Sequence, residues 1–196
     1  MHNWPGRGND DPCGCASVTT DTAFDGSYNF TNLTDGACTV TPSLDGYAFI
    51  PPSRLITVAG ADVSGQDFSA VQTWFEEDDP AITYTGTWNS LACNPCNNGF
   101  LKYSCQTGAK AGFSFYGTGI RWHTAKAPVL GKAKIFFDGV YKGMVDLYRS
   151  PVQYPLVLGG SGIPPGNHTL TIEVSGQKNP RSSGYYTVID GFEVVP

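Results

Sequence analysis

The chain has 196 residues, of which 15% are charged and 13% aromatic, and its formal net charge is −5. It contains 24 glycines and 14 prolines, so long surface helices are not expected. No apolar run approaches the roughly 20 residues of a membrane-spanning helix, and no basic stripe of the kind that binds nucleic acid is present. The composition therefore excludes a membrane span, a coiled coil and a nucleic-acid-binding protein.

Charge divides the chain into two parts near residue 70. Residues 1–70 hold eight aspartates and two arginines, whereas residues 71–196 have a net charge of +1. We therefore expect a polar, ordered N-terminal arm over residues 1–20, a first domain over residues 21–70 and a second over residues 71–196. The start of the arm lacks the basic segment and apolar core of a signal peptide, so no signal peptide is expected.

From residue 21 onward, short apolar runs alternate with turn sequences. Residues 47–50 follow Asp45-Gly46, and Pro51-Pro52 separates them from residues 55–58. Residues 111–123 predict a strand, a bend at residues 117–119 and a further strand. These patterns are typical of antiparallel β-structure.

The clearest local signal is a pair of alternating runs joined by Asp138-Gly139, which predicts a tight hairpin because this dipeptide tolerates positive φ. Leu170, Ile172 and Val174 then alternate with polar residues, which predicts a strand with one buried face. No segment of ten or more residues has a helical period. The sequence therefore predicts an all-β protein built from two sandwiches.

Six cysteines predict disulfides in a secreted protein, with 15 possible connectivities. Two residues separate Cys93 from Cys96, a spacing that also occurs in zinc knuckles, but no second such pair or histidine pair completes a zinc site. Disulfides are favoured, and with them an extracellular or cell-surface location. The predicted disulfide residues are Cys13, Cys15, Cys38, Cys93, Cys96 and Cys105.

The first domain carries motifs of a known repeat. They are Asp25-Gly-Ser-Tyr28-Asn-Phe30, Leu33-Thr-Asp-Gly36, Thr39-Val-Thr-Pro42 and Asp67-Phe68-Ser-Ala70. On these motifs, residues 21–70 resemble the later part of a bacterial carboxypeptidase-regulatory-like or serine-aspartate-repeat B-type domain. The resemblance implies an incomplete prealbumin-like or immunoglobulin-like sandwich whose first strands are missing.

The second domain carries a different set of motifs. They are Tyr84-Thr-Gly86-Thr-Trp88, Phe113-Ser-Phe115, Phe137-Asp138-Gly139, Val145-Asp146-Leu147-Tyr148 and Ile189-Asp190-Gly-Phe192. On these motifs, residues 72–196 resemble a galactose-binding-like β-jelly roll of the carbohydrate-binding-module type. The resemblance implies a fold that binds sugars through variable loops.

A sugar site needs aromatic faces for the C–H face of a pyranose and planar polar side chains for its hydroxyls. Arg121, Trp122 and His123 lie together at a predicted strand end and form the first candidate constellation. Further aromatic candidates in loop positions are Trp88 and Tyr186, with Arg149 and Arg181 nearby. The predicted ligand-binding residues are Arg121, Trp122, His123, Tyr148, Tyr154 and Tyr185.

An acidic run at residues 76–79 begins the second domain. Calcium binds hard oxygen ligands, so Glu76, Glu77 and Asp190 are candidate ligands of a structural Ca²⁺. The resemblance implies the same, because related jelly rolls carry an ion between their first and last strands. The alternative is a solvated linker.

No nucleophile elbow, zinc-protease motif or phosphate loop is present, so catalysis is not expected. The favoured hypothesis is a non-catalytic extracellular carbohydrate-binding protein or module, whose partner is a glycan or cell-surface polysaccharide. The alternative is a structural subunit of an extracellular filament or adhesin. In that hypothesis the N-terminal arm adds a strand to the next copy, so that the chain self-associates into a fibre.

Overall fold

The structure is a computed structural model, and it describes residues 17–196. Strands form almost all of the regular structure in this range, with one short 3-10 turn at Asn97–Gly99, so the all-β prediction is confirmed. The chain divides into two compact units, Met1–Val71 and Gln72–Pro196. Residues 17–196 contain no helix long and apolar enough to cross a membrane.

The first unit contains four short strands, β1 (Gly36–Val40), β2 (Tyr47–Ile50), β3 (Arg54–Val58) and β4 (Ser69–Gln72). β1 pairs antiparallel with β3, and β2 pairs with β4, giving two small sheets. The Tyr28 and Phe68 rings lie 6.4 Å apart. The prealbumin-like interpretation of this unit stays a prediction. The predictions for Cys13, Cys15 and most of the N-terminal arm concern residues that lie outside the described part of the chain.

The second unit contains the larger core. Its strands are β5 (Trp74–Glu76), β6 (Ile82–Thr85), β7 (Asn89–Ala92), β8 (Phe100–Ser104), β9 (Lys110–Lys126), β10 (Lys132–Phe137), β11 (Val140–Asp146), β12 (Gln153–Val174), β13 (Thr187–Ile189) and β14 (Gly191–Val195). Seven of them form one sheet in the order β11-β10-β12-β9-β14-β5, with β6 also pairing with β9. The other three form a second sheet in the order β13-β8-β7.

The two sheets share one hydrophobic core. Phe113, Trp122 and Ile172 contribute to it from the seven-stranded sheet, and Leu101 and Ile189 contribute from the three-stranded sheet. Because side chains alternate between the two faces of a strand, each strand gives every second residue to this core. The result is the sandwich of two packed sheets that a jelly roll requires.

The bend predicted at residues 117–119 lies within one continuous strand, β9, and does not divide it. Its buried positions include Phe113 and Phe115 before this point and Ile120 and Trp122 after it, so the buried side switches from odd to even numbers. The partner strand β12 has a register shift at the same place. Gly119 is required there, because a Cβ would lie 2.3 Å from the carbonyl oxygen of Gly160.

The predicted tight hairpin joins β10 to β11. Asp138 and Gly139 have φ of +49° and +73°, and Phe137 pairs with Val140, so the loop has two residues. Asp138 Oδ1 accepts the backbone N–H of Thr169 at 2.7 Å, and Oδ2 lies 2.8 Å from Nδ1 of His168. The turn aspartate therefore docks the hairpin on β12.

Three loops interlock at the end of the sandwich where β9 finishes and β10 begins. The backbone N–H of Ala127 donates to Leu147, and that of Gly131 donates to Tyr186, at 3.0 and 2.8 Å. The Ser182 hydroxyl donates to the Leu130 carbonyl. These bonds hold the loops in one arrangement. We call this region the loop end, and it comprises residues 127–131, 147–152 and 175–186.

Candidate functional site

An apolar groove of about 350 Å³ lies between the loop end and the three-stranded sheet. Ala125 and Ala127 line it with small side chains, and Tyr103, Tyr154 and Tyr186 contribute aromatic rings. The Tyr103 and Tyr186 rings meet edge to face at 5.7 Å. The volume is at the lower end of the range for small-molecule sites, about 300–1,000 Å³. The groove is therefore large enough for a sugar ring.

The groove also includes a disulfide loop. Cys93 and Cys96 are bonded to each other, with their Cα atoms 5.2 Å apart, and Cys93 and Pro95 line the groove. The disulfide prediction is therefore confirmed for this pair. It is wrong for Cys105, which is a free, exposed thiol on the segment after β8.

Tyr154 connects the groove to a buried carboxylate. Its hydroxyl donates to Oδ2 of Asp190 at 2.9 Å, and Asp190 is 2% exposed. Oδ1 of Asp190 is buried and has no hydrogen-bond partner. Burial raises the pKa of Asp190, and burial together with the bond to Asp190 raises the pKa of Tyr154 to about 12. The Tyr154 hydroxyl is thus used in the hydrogen bond to Asp190, while its ring lines the groove.

Glu76 lies close to this carboxylate on the edge strand β5, and Glu77 follows it in the chain. Burial raises the pKa of both groups, and the negative charge of Asp190 adds to the effect on Glu76. Oε2 of Glu77 is buried without a hydrogen-bond partner. Within residues 17–196, no three His, Cys, Asp or Glu side chains form a metal-binding group. The structure therefore brings Glu76 close to Asp190, with Glu77 next to Glu76 in the chain.

The predicted constellation of Arg121, Trp122 and His123 is divided between the two faces of β9. Trp122 is 1% exposed and packs in the core, which contradicts its predicted ligand contact. Arg121 and His123 lie on the opposite face of β9, where both bind the carboxylate of Glu193; His123 Nε2 is 3.0 Å from Oε2. The His123 ring also packs against Trp74 at 4.5 Å. One nitrogen of each side chain is thus already bound to Glu193.

The loop end holds the other predicted aromatic residues. Tyr185 is 43% exposed, and Lys178 Nζ lies 4.8 Å from the centre of its ring. The backbone N–H of Tyr148 donates to Oδ1 of Asp146 at 2.9 Å, and Asn179 Nδ2 donates to Oδ2 at 2.7 Å. Tyr148 and Tyr185 therefore lie on the loop end, and Tyr154 lines the adjacent groove.

Two other aromatic residues lie at positions that the sequence did not predict. Trp88 was grouped with the loop candidates, but it packs on Tyr84 at 5.2 Å and against the core. Tyr103 was not singled out, although it lines the groove. It lies on β8 and reaches the groove only because the three-stranded sheet packs beside the loop end, a relation that no local pattern reveals.

Comparisons with known proteins identify enzymes that act on carbohydrates. No protein-family model matches the chain. It is 32% identical over 97 residues to the A type blood N-acetyl-alpha-D-galactosamine deacetylase of Flavonifractor plautii, covering 50% of this chain and 13% of that protein. It is 30% identical over 125 residues to the A type blood alpha-D-galactosamine galactosaminidase of the same organism, covering 61% and 12%. The chain thus spans about an eighth of the length of these curated relatives.

Among solved structures, a Paenibacillus xanthan lyase is similar with a TM-score of 0.51 and 18% sequence identity. The match covers 68% of this chain and 14% of the lyase. At this identity the similarity shows a shared fold, which agrees with the β-sandwich described above.

Proposed function

We propose that the second unit is a non-catalytic carbohydrate-binding module whose site is the apolar groove together with the loop end. The observation that carries the proposal is a groove with tyrosine rings beside an exposed tyrosine, Tyr185, on interlocked loops. The relatives support it, because both are named as enzymes acting on sugars and this chain matches only a small part of each. A module attached to a larger enzyme fits that pattern.

The chemistry of the groove suits a sugar ring. Its lining is almost entirely apolar, and tyrosine faces match the C–H face of a pyranose. Polar side chains at the edge of the groove include Gln153, whose Oε1 accepts a hydrogen bond from Arg149, and Asn179, whose amide nitrogen donates to Asp146. A mostly apolar surface with a few polar groups at its edge is the usual composition of a small-molecule site.

The test is glycan binding by Tyr185→Ala, with Tyr116→Ala as the matched control. Both side chains are exposed tyrosines, but Tyr116 lies ten residues before the end of β9 that enters the loop end. Loss of an aromatic face is worth about 1.5–3 kcal/mol of apolar contact, which corresponds to roughly a tenfold or greater rise in Kd. Calorimetry with the best glycan from a broad array measures both variants. No binding to any glycan, or equal losses in the two variants, would refute the proposal.

We further propose that Glu76, Glu77 and Asp190 take part in a structural Ca²⁺ site that also needs other oxygen ligands, since within residues 17–196 these carboxylates do not by themselves form a metal-binding group. Unpartnered buried oxygens on Glu77 and Asp190 support this, since a cation would compensate their desolvation. The expected result is a higher Tm in CaCl₂ than in EDTA, with no such gain in Glu76→Gln. The exposed carboxylate of Asp138 offers a control, because Asp138→Asn should keep the calcium response. A Tm that is the same in CaCl₂ and EDTA would contradict the assignment.

Two further predictions belong with this function. An extracellular location is supported by the Cys93–Cys96 disulfide, since such bonds persist in oxidising compartments. The filament alternative stays a prediction, because residues 1–16 of the arm lie outside the described part of the chain. Light scattering of the unreduced protein distinguishes the filament hypothesis from that of a carbohydrate-binding module. A large assembly supports the filament, and a monomer at high concentration rejects it.

A further inference from the structure

Several cations of the second unit are neutralised by carboxylates on the sheets. Lys134 and Lys110 both reach Glu173, at 2.7 and 3.5 Å. Arg121 binds Glu193 on β14. These positive charges stabilise strand pairs and are not free to bind an external anion.

Five further cations lie on the loop end or at its edges, and within residues 17–196 none of them forms a salt bridge. Asp146 is the carboxylate among them, and it interacts electrostatically with two of the five. Both of its oxygens already accept hydrogen bonds, from Asn179 and from the backbone of Tyr148. The loop end therefore carries an excess of positive charge on a chain whose net charge is −5. The five cations are Lys126, Lys132, Arg149, Lys178 and Arg181.

We propose that the loop end selects acidic glycans, whose carboxylate or sulfate groups bind these cations while a sugar ring occupies the groove. The inference rests on the proposed function and names its ligand class. Arg149 and Arg181 are exposed, and a guanidinium matches a carboxylate or sulfate with two parallel hydrogen bonds. The adjacent apolar groove gives the ring a contact surface that charge alone does not provide.

The same observations argue against a nucleic acid. Nucleic-acid binding needs basic residues along an extended track, whereas these five are confined to one end of the sandwich. The net charge of the chain is −5, which does not favour a long polyanion. A short acidic segment of a polysaccharide meets only the local positive field.

The experiment measures Kd of the full chain for an oligogalacturonate, a chondroitin sulfate oligosaccharide and a neutral galactan oligosaccharide of equal length. At 50 mM NaCl we expect at least one acidic glycan to bind about tenfold more tightly than the neutral one, because each charge-assisted hydrogen bond adds appreciable affinity. At 500 mM NaCl this preference should largely disappear, since salt screens exposed charges. The two acidic glycans distinguish carboxylate from sulfate as the recognised group.

The double variant R149Q/R181Q should lose about tenfold in its preference for acidic over neutral glycan. Lys142→Gln is the control, because Lys142 is also exposed but lies in the part of the β10–β11 hairpin away from Asp146. Equal affinity for acidic and neutral glycans overturns this inference and leaves the proposed function standing. Failure to bind any glycan rejects both. Binding of a short DNA strand as tightly as the acidic glycan also overturns the inference.

Discussion

Tyr154→Phe separates the two contacts of this residue, because it removes the hydroxyl and keeps the ring that lines the groove. The lost bond is the 2.9 Å donation to Oδ2 of Asp190. Asp190 is 2% exposed and its Oδ1 has no hydrogen-bond partner, so water does not easily replace the hydroxyl. The substitution therefore leaves a buried carboxylate with less compensation.

A hydrogen bond to a charged group contributes about 1.5–3 kcal/mol, and leaving its partner unsatisfied costs a similar amount. For a chain of this size, 1 kcal/mol changes Tm by about 2–4 °C. We therefore expect Tyr154→Phe to lower Tm by about 3–12 °C in EDTA-containing buffer at neutral pH. Differential scanning calorimetry gives the change in Tm, and chemical denaturation gives the free energy of unfolding.

Tyr116→Phe is the control, because the Tyr116 side chain is 68% exposed and lies on β9 well before His123, whose carbonyl accepts the backbone N–H of Asp190. It should leave Tm within about 1 °C, as surface substitutions usually do. If Tyr154→Phe also leaves Tm unchanged, the hydroxyl does not compensate Asp190 and the link between groove and carboxylate is wrong.

Three other predictions test particular contacts. The hydrogen bond between Asp138 and His168 lowers the pKa of Asp138 and raises the pKa of His168. The contribution of His168 to stability is therefore present below its ordinary pKa and is lost as pH rises through the raised value. The contribution of Asp138 is lost as pH falls through its lowered pKa. NMR titration should show the His168 pKa falling in Asp138→Asn, and an unchanged value would contradict the pair. Cys105 should react with iodoacetamide in the native protein, as peptide mass mapping would show, and protection would place it in a bond. Gly131→Ala should cost about 1–3 kcal/mol by overpacking, because its Cβ would lie 2.7 Å from the Tyr185 backbone; wild-type unfolding in urea would refute the close contact.

The parts of the fold that follow local rules were predictable from the sequence. Asp138-Gly139 predicted a two-residue hairpin because few other dipeptides adopt positive φ at both positions, and the structure has that turn. Alternation through Leu170 and Ile172 likewise identified the buried face of β12. Cys93 and Cys96 are close in sequence, and they form the disulfide that composition indicated.

Strand geometry explains why Arg121, Trp122 and His123 do not share one face of β9, although the predicted constellation required it. Arg121, Trp122 and His123 are consecutive, so alternation places Trp122 on one face and its neighbours on the other. Which face is buried depends on the switch between Phe115 and Ile120, and that switch depends on the register shift in the distant strand β12. Sequence alone showed glycines at this point but not that the strand continues through them.

The groove could not be predicted for a related reason, since residues from five separate segments of the second unit line it. The sandwich determines where these segments meet, whereas the side chains at the meeting point are free to vary without loss of the fold. The cations of the loop end illustrate the difference. Two of them, Lys126 and Lys132, share the carboxylate of Asp146, so their like charges repel one another. Stability alone gives no reason for that excess, whereas a negatively charged ligand would neutralise it.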